Sequence, residues 1–163
     1  MPGDFGTGLR QRVLSRYFKE CGKNLTCYEG VRFRNIQSIS LGDNVHLGVD
    51  SFLQGAGGVR IGNDVILGPG VKIWSCNHKY TQPDVPVRLQ GYEYKEVEIG
   101  DDVWIGANAF IMPGARIGKG CVIAAGSVVG GKAVPDYSIL MGNPARKIGT
   151  RKVADEPVLS RCV

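Results

Sequence analysis

Val97-Glu98-Ile99-Gly100-Asp101-Asp102-Val103-Trp104-Ile105-Gly106 decides the fold, because near-copies of it stand at Val59–Gly68 and Ile39–Gly48. Working outward, an aliphatic residue recurs every six positions. The series runs Leu41, Leu47, Leu53, then Ile61, Leu67, Ile73, then Ile99, Ile105, Ile111, Ile117, Ile123, Val129. Four residues after most of these comes a small or apolar side chain, as in Val45, Ser51, Val65, Val71, Val103, Ala109, Ala115 and Cys121. A period of six smears apolar residues around a helix but fits a short strand plus a corner, with Gly, Asn or Asp permitting the bend. Ile99-Gly100 and Ile117-Gly118 lie 18 apart, which is three hexads and so three faces per coil. Coils stacked in parallel at about 4.8 Å would align the aliphatic residues as interior ladders. The pattern predicts an all-β solenoid; an antiparallel sandwich would alternate with period two.

The composition fits one domain. The 163 residues carry a formal charge of +5 and 24 glycines, many of them directly after the aliphatic residue of a hexad. No apolar run approaches a membrane span, and Met1 to Gly8 has no apolar signal core. Five cysteines, an odd number without a C-x-x-C pair, suggest reduced thiols and a cytoplasmic protein. Positive charge gathers in Arg10, Arg12, Arg16 and Lys19 and again in Arg146, Lys147, Arg151 and Lys152. It suits a polyanionic small molecule; no basic run interleaved with aromatics argues for nucleic acid.

Three segments leave the repeat. Residues 9–20 place Leu9, Val13, Tyr17 and Leu14, Phe18 on neighbouring stripes of a predicted amphipathic helix. It reads as a cap over the first open coil, with peripheral membrane contact as the alternative. Residues 77–96 form a long excursion with Tyr80, Tyr92, Tyr94 and Arg88, expected to be an ordered arm. From Pro135 the repeat is expected to stop, and the last dozen residues read as a polar tail. The resulting division is 1–24 for the helix and cap, 25–134 for the coils, and 135–163 for the C-terminal cap and tail.

The phased I-G-x-x-V-x hexads resemble the hexapeptide-repeat acyltransferases. Asn77-His78 opening a loop, Val103-Trp104-Ile105-Gly106-Ala107-Asn108-Ala109 and Gly142-Asn143-Pro144-Ala145-Arg146 narrow the resemblance. Together they are similar to the maltose/galactoside O-acetyltransferase branch and its polysaccharide-modifying relatives, over about residues 25–150. The resemblance implies a left-handed parallel β-helix of triangular cross-section, a homotrimer and acetyl-CoA as donor. It also implies a sugar or glycan acceptor and no metal.

Acetyl transfer from a thioester to an alcohol requires that the hydroxyl lose its proton as it attacks, and a neutral imidazole suits that task. Of the two histidines, His46 sits in a regular hexad and reads as surface packing. His78 opens the excursion and matches the family's catalytic base. Cys76 is a minor candidate for a covalent route, and a glycine-rich turn such as Gly106-Ala107 could hold the oxyanion. The resemblance implies acceptor contacts at Asn77, Trp104, Asp50 and Arg88, although Asp50 replaces an amide. It implicates Ala107, Ala125, Lys132 and Arg146 in donor binding, with a one-residue shift at Gly130-Gly131 before Lys132; Arg151 joins them only as a nearby cation. The expected activity is O-acetylation of a sugar, with N-acetylation of a nucleotide-linked amino sugar as the alternative. A zinc carbonic anhydrase of this fold needs three histidines per site, and a non-catalytic β-helix would need no long arm.

Overall fold

The computed structural model describes residues 3–151, which wind as a left-handed parallel β-helix of about six coils. The hand is opposite to the usual crossover rule. Strands Glu20–Cys21, Ile39–Leu41, Val59–Ile61, Val97–Ile99, Arg116–Ile117 and Ala133–Val134 stack in order as the first face. The second face runs from Thr26–Cys27 through His46–Leu47, Ile66–Leu67, Trp104–Ile105 and Val122–Ile123 to Ser138–Met141. The third comprises Arg32–Arg34, Phe52–Gln54, Lys72–Trp74, Phe110–Ile111 and Val128–Val129.

The six-residue phase becomes register. Leu41 pairs with Ile61, Ile61 with Ile99, and Ile99 with Ile117, all buried. Leu47, Leu67, Ile105 and Ile123 form the second ladder, and Leu53, Ile73, Ile111 and Val129 the third. Burying such side chains contributes about 1.5–3 kcal/mol each. The corners explain the Asn and Asp residues. Asn24, Asn44, Asp64 and Asp102 take left-handed conformations with φ between 55° and 58°, which a short polar side chain tolerates. Asn24 Nδ2 donates to Asn44 Oδ1 at 2.9 Å, and Asn44 Nδ2 donates to Asp64 Oδ1 at 2.8 Å.

Irregularity collects at one corner, between the third and first faces. Leu53 to Ile61 takes eight residues, Ile111 to Ile117 six, and Val129 to Val134 five. The long excursion after Ile73 leaves the coil at this same corner.

Two expectations need correction. The N-terminal helix is Gly3–Leu14, not 9–20. Residues 19–21 are recruited by the first face, where Lys19 N–H donates to Ile39 O and Cys21 pairs with Leu41, so the helix must end earlier. Leu9, Val13 and Tyr17 are consequently exposed, while Phe18 is buried edge-on against Phe33 at 5.3 Å. The helix is tied to the first coil by Arg10 Nε, which donates to Cys27 O at 2.6 Å. Second, Pro135 does not end the array. Ser138–Met141 continues the second face against Val122–Ile123, then turns back and pairs antiparallel with Arg146–Thr150. The first coil carries Cys21, Cys27 and Phe33 in its inward register positions. The expected polar tail, including Lys152, lies outside the described residues.

Candidate active site

The excursion is a β-hairpin at its base. Cys76–His78 pairs antiparallel with Tyr92–Tyr94, and Lys79 N–H donates to Gly91 O at 3.1 Å. Its tip is held by Gln90, whose Nε2 donates to Gln82 O at 2.9 Å and Val85 O at 2.7 Å. Buried Ser75 fixes the point of departure. Its Oγ donates to Gln54 O at 2.8 Å and accepts Gly57 N–H at 2.9 Å, while its carbonyl accepts Lys95 N–H at 2.9 Å. Gly57 must be glycine here, because a Cβ would strike Ser75 O.

This geometry sets His78 on the wall of a groove of about 350 Å³. The other walls are Tyr92, Tyr94, Trp74, Asn77, Cys76, Gln54, Ala56, Asn35 and Arg34. The His78 ring lies 4.5 Å from that of Tyr92 at 38°. Asn77 Oδ1 accepts the His78 backbone N–H at 3.1 Å. Cys76 is buried, and Gln54 Nε2 donates to its Sγ at 3.0 Å.

The remaining candidates lie elsewhere on the chain. Trp104, 55% exposed on the second face, lines a separate depression with Arg151. There Arg151 Nη1 donates to Asp102 Oδ2 at 2.8 Å. Ala107 and Ala125 stack on the corner between the second and third faces, where Gly126 N–H donates to Ala107 O at 2.8 Å. Asp50 occupies that corner lower down, with φ 56° and its carboxylate over Gly30. Arg146 opens the last strand, exposed, with Nη1 donating to Ala145 O at 3.2 Å. Lys132 is exposed on the irregular corner, and Arg88 is exposed in the arm's 3-10 turn, Val87–Leu89. So the chain unites His78 with Asn77, and Trp104 with Arg151, but sets the arm of His78 and the Ala107 and Ala125 pair at different corners.

Comparison with known proteins agrees with this architecture. Residues 96–131 match the bacterial transferase hexapeptide family (six repeats), and residues 38–74 match the hexapeptide repeat of succinyl-transferase. A galactoside O-acetyltransferase of Lactococcus lactis is 33% identical over 150 residues, covering 90% of this chain and 69% of that protein. The chain belongs to the hexapeptide-repeat acetyltransferase family.

Another relative, a probable acetyltransferase of Mycobacterium tuberculosis, is 35% identical over 91% of this chain. The chain spans about half of that relative, 47% of its length. A solved hexapeptide-repeat acetyltransferase of Vibrio cholerae, complexed with acetyl coenzyme A, superposes with a TM-score of 0.80 at 28% identity. It covers 90% of this chain, which spans 78% of it.

Within the hexapeptide-repeat array, Arg34, Gln54 and Trp74 escaped the sequence reading. Each is the last residue of a third-face strand, and the three are register partners spaced 20 apart. That spacing is the available signal: it sets all three at the corner from which the arm departs.

Proposed function

We propose that this chain transfers an acetyl group from acetyl-CoA to a hydroxyl of a sugar or glycan, of capsule, O-antigen or exopolysaccharide type, with His78 as general base. The observation that carries the reading is His78 on a hydrogen-bonded hairpin, stacked near Tyr92 and open to a groove walled by aromatic rings and amides. Such walls suit a sugar, whose C–H faces pack on rings while its hydroxyls meet amides.

The chemistry then runs without an acyl-enzyme. A neutral His78 nitrogen takes the acceptor proton as the hydroxyl oxygen bonds to the thioester carbonyl carbon. The tetrahedral oxyanion collapses, the C–S bond breaks, and the coenzyme A sulfur leaves with a proton returned from the imidazolium. Burial and the Gln54 contact hold Cys76 in the wall, so it serves packing in this scheme.

Donor binding is assigned to the Ala107 and Ala125 corner and to Arg146. The Ala107 and Ala125 backbone N–H groups make no hydrogen bond among the described residues, so they are available to an amide-rich pantetheine arm or an oxyanion. Lys132 and Arg151 are further candidates for coenzyme phosphates.

We place the complete site between copies of the chain in a homotrimer. His78 and the donor corner occupy different edges of one coil stack, so a neighbour must bring its own corner to the arm. The second face supplies exposed apolar contact area in Ile66 and Trp104. The first face, by contrast, carries charge, with Arg60 bound to Glu96 at 3.0 Å. Among the described residues no helix is long and apolar enough to cross a membrane. Acetyl-CoA as donor fits a cytoplasmic site of action.

The test is coenzyme A release by thiol detection against a panel of neutral sugars, amino sugars, nucleotide sugars and oligosaccharides. Sugar-dependent release supports the reading. Release with amino sugars alone would convert it to N-acetylation, and no release with any sugar would overturn it.

A further inference from the structure

We infer that the acceptor is anionic: a carboxylate or phosphate on the sugar is held by Arg34 while the reacting hydroxyl meets His78. The inference rests on the sugar-acetylation reading above and names the substrate class of that site.

Arg34 lines the same groove as His78. Its side chain is exposed, and its guanidinium forms no ion pair or hydrogen bond among the described residues, while its carbonyl accepts Gly55 N–H at 2.8 Å. Among the described residues no carboxylate lines the groove, so none of them neutralises the guanidinium there. Glu93, between Tyr92 and Tyr94 in the strand, is engaged by Lys95 at 3.1 Å. Neighbouring arginines are spent differently: Arg32 lies 5.7 Å over the Phe52 ring, and Arg60 and Arg116 reach Glu96 and Glu98 on the first face. A planar guanidinium offers paired N–H donors that match a carboxylate or phosphate.

An aromatic side chain shares this wall with Arg34. Trp74, two strands along the third face from Arg34, also lines the groove. Its Nε1 is buried and has no hydrogen-bond partner among the described residues.

Arg34 is badly placed to serve the coenzyme. It belongs to the first coil, whereas Ala107 and Ala125 belong to the fourth and fifth, roughly 15–20 Å further along at about 4.8 Å per coil. Its charge acts on the acceptor side of the reaction.

Calorimetry in the presence of coenzyme A tests this with three probes: cellobiose, cellobiouronic acid and uridine diphosphate glucose. The carboxylate and diphosphate probes separate the two sources of negative charge. A charge-assisted contact predicts that at least one anionic probe binds about tenfold to a hundredfold tighter than cellobiose, with affinity falling as salt rises. Arg34→Gln should abolish the preference, Arg34→Lys should keep part of it, and neither should change the affinity for acetyl-CoA more than about twofold. Equal affinity for all three probes, no binding of either anionic probe, or a preference that survives Arg34→Gln overturns the inference. Failure of the acetylation reading shows differently: coenzyme A release stays at background with every acceptor while the charge preference in binding remains.

Discussion

His78 and Tyr92 are register partners across the arm's hairpin, and their rings meet at 4.5 Å. The pairing turns a residue on a long excursion into one held on two sides. Removing the ring by Tyr92→Ala forfeits an aromatic contact of about 1 kcal/mol. If that contact orients the base, coenzyme A release should fall roughly five- to tenfold with the thermal midpoint nearly unchanged. Wild-type turnover in this variant would show that the ring contact does not position His78.

Ser75 anchors the arm through a donated and an accepted hydrogen bond in a fully buried position. Ser75→Ala leaves Gly57 N–H without its partner and should cost about 1–3 kcal/mol in denaturant unfolding. Activity should fall further than that of a surface variant of equal stability, because the departure point of the arm moves. A change within about 0.5 kcal/mol would contradict the anchoring role.

Burial pushes the Cys27 thiol up to about 11, with Arg10 pulling partly the other way. The unfolded thiol ionises near about 8.5, so above that pH the unfolded state sheds its proton first. Stability from this group is therefore complete below about pH 8.5 and is lost as pH rises towards 11. The denaturation midpoint should drop between pH 7.5 and 10 more steeply in the wild type than in Cys27→Ala. Identical slopes would remove Cys27 from the account.

Much of the architecture was legible because a solenoid is written locally. Each hexad names its inward residue, and Leu41, Ile61 and Ile99 found one another by phase alone. The inward residues of the first coil were not legible, since Cys21, Cys27 and Phe33 fill those positions without the aliphatic signature. The helix boundary was missed because its end depends on pairing of residues 19–21 with Ile39–Leu41, which no local pattern encodes. His78 stood out by its place at the break. Its neighbours Arg34, Gln54 and Trp74 did not, because their approach depends on insertions at one corner of successive coils. The separation of His78 from Ala107 and Ala125 was also not legible, since phase gives ladders but not where the arm folds against the coil.

Ile66 and Trp104 are exposed register partners on the second face. If that face packs between copies, Ile66→Asp should shift the protein from trimer to monomer in sedimentation velocity and abolish transfer together with assembly. A trimer that persists in the variant would move the interface to another face.

The base assignment is tested most directly by coenzyme A release from His78→Ala with an acceptor that the wild type uses. General-base loss predicts a fall of about 10²–10⁴-fold, with acetyl-CoA affinity, native mass in solution and thermal midpoint retained. Turnover within a few fold of wild type would contradict the assignment of His78.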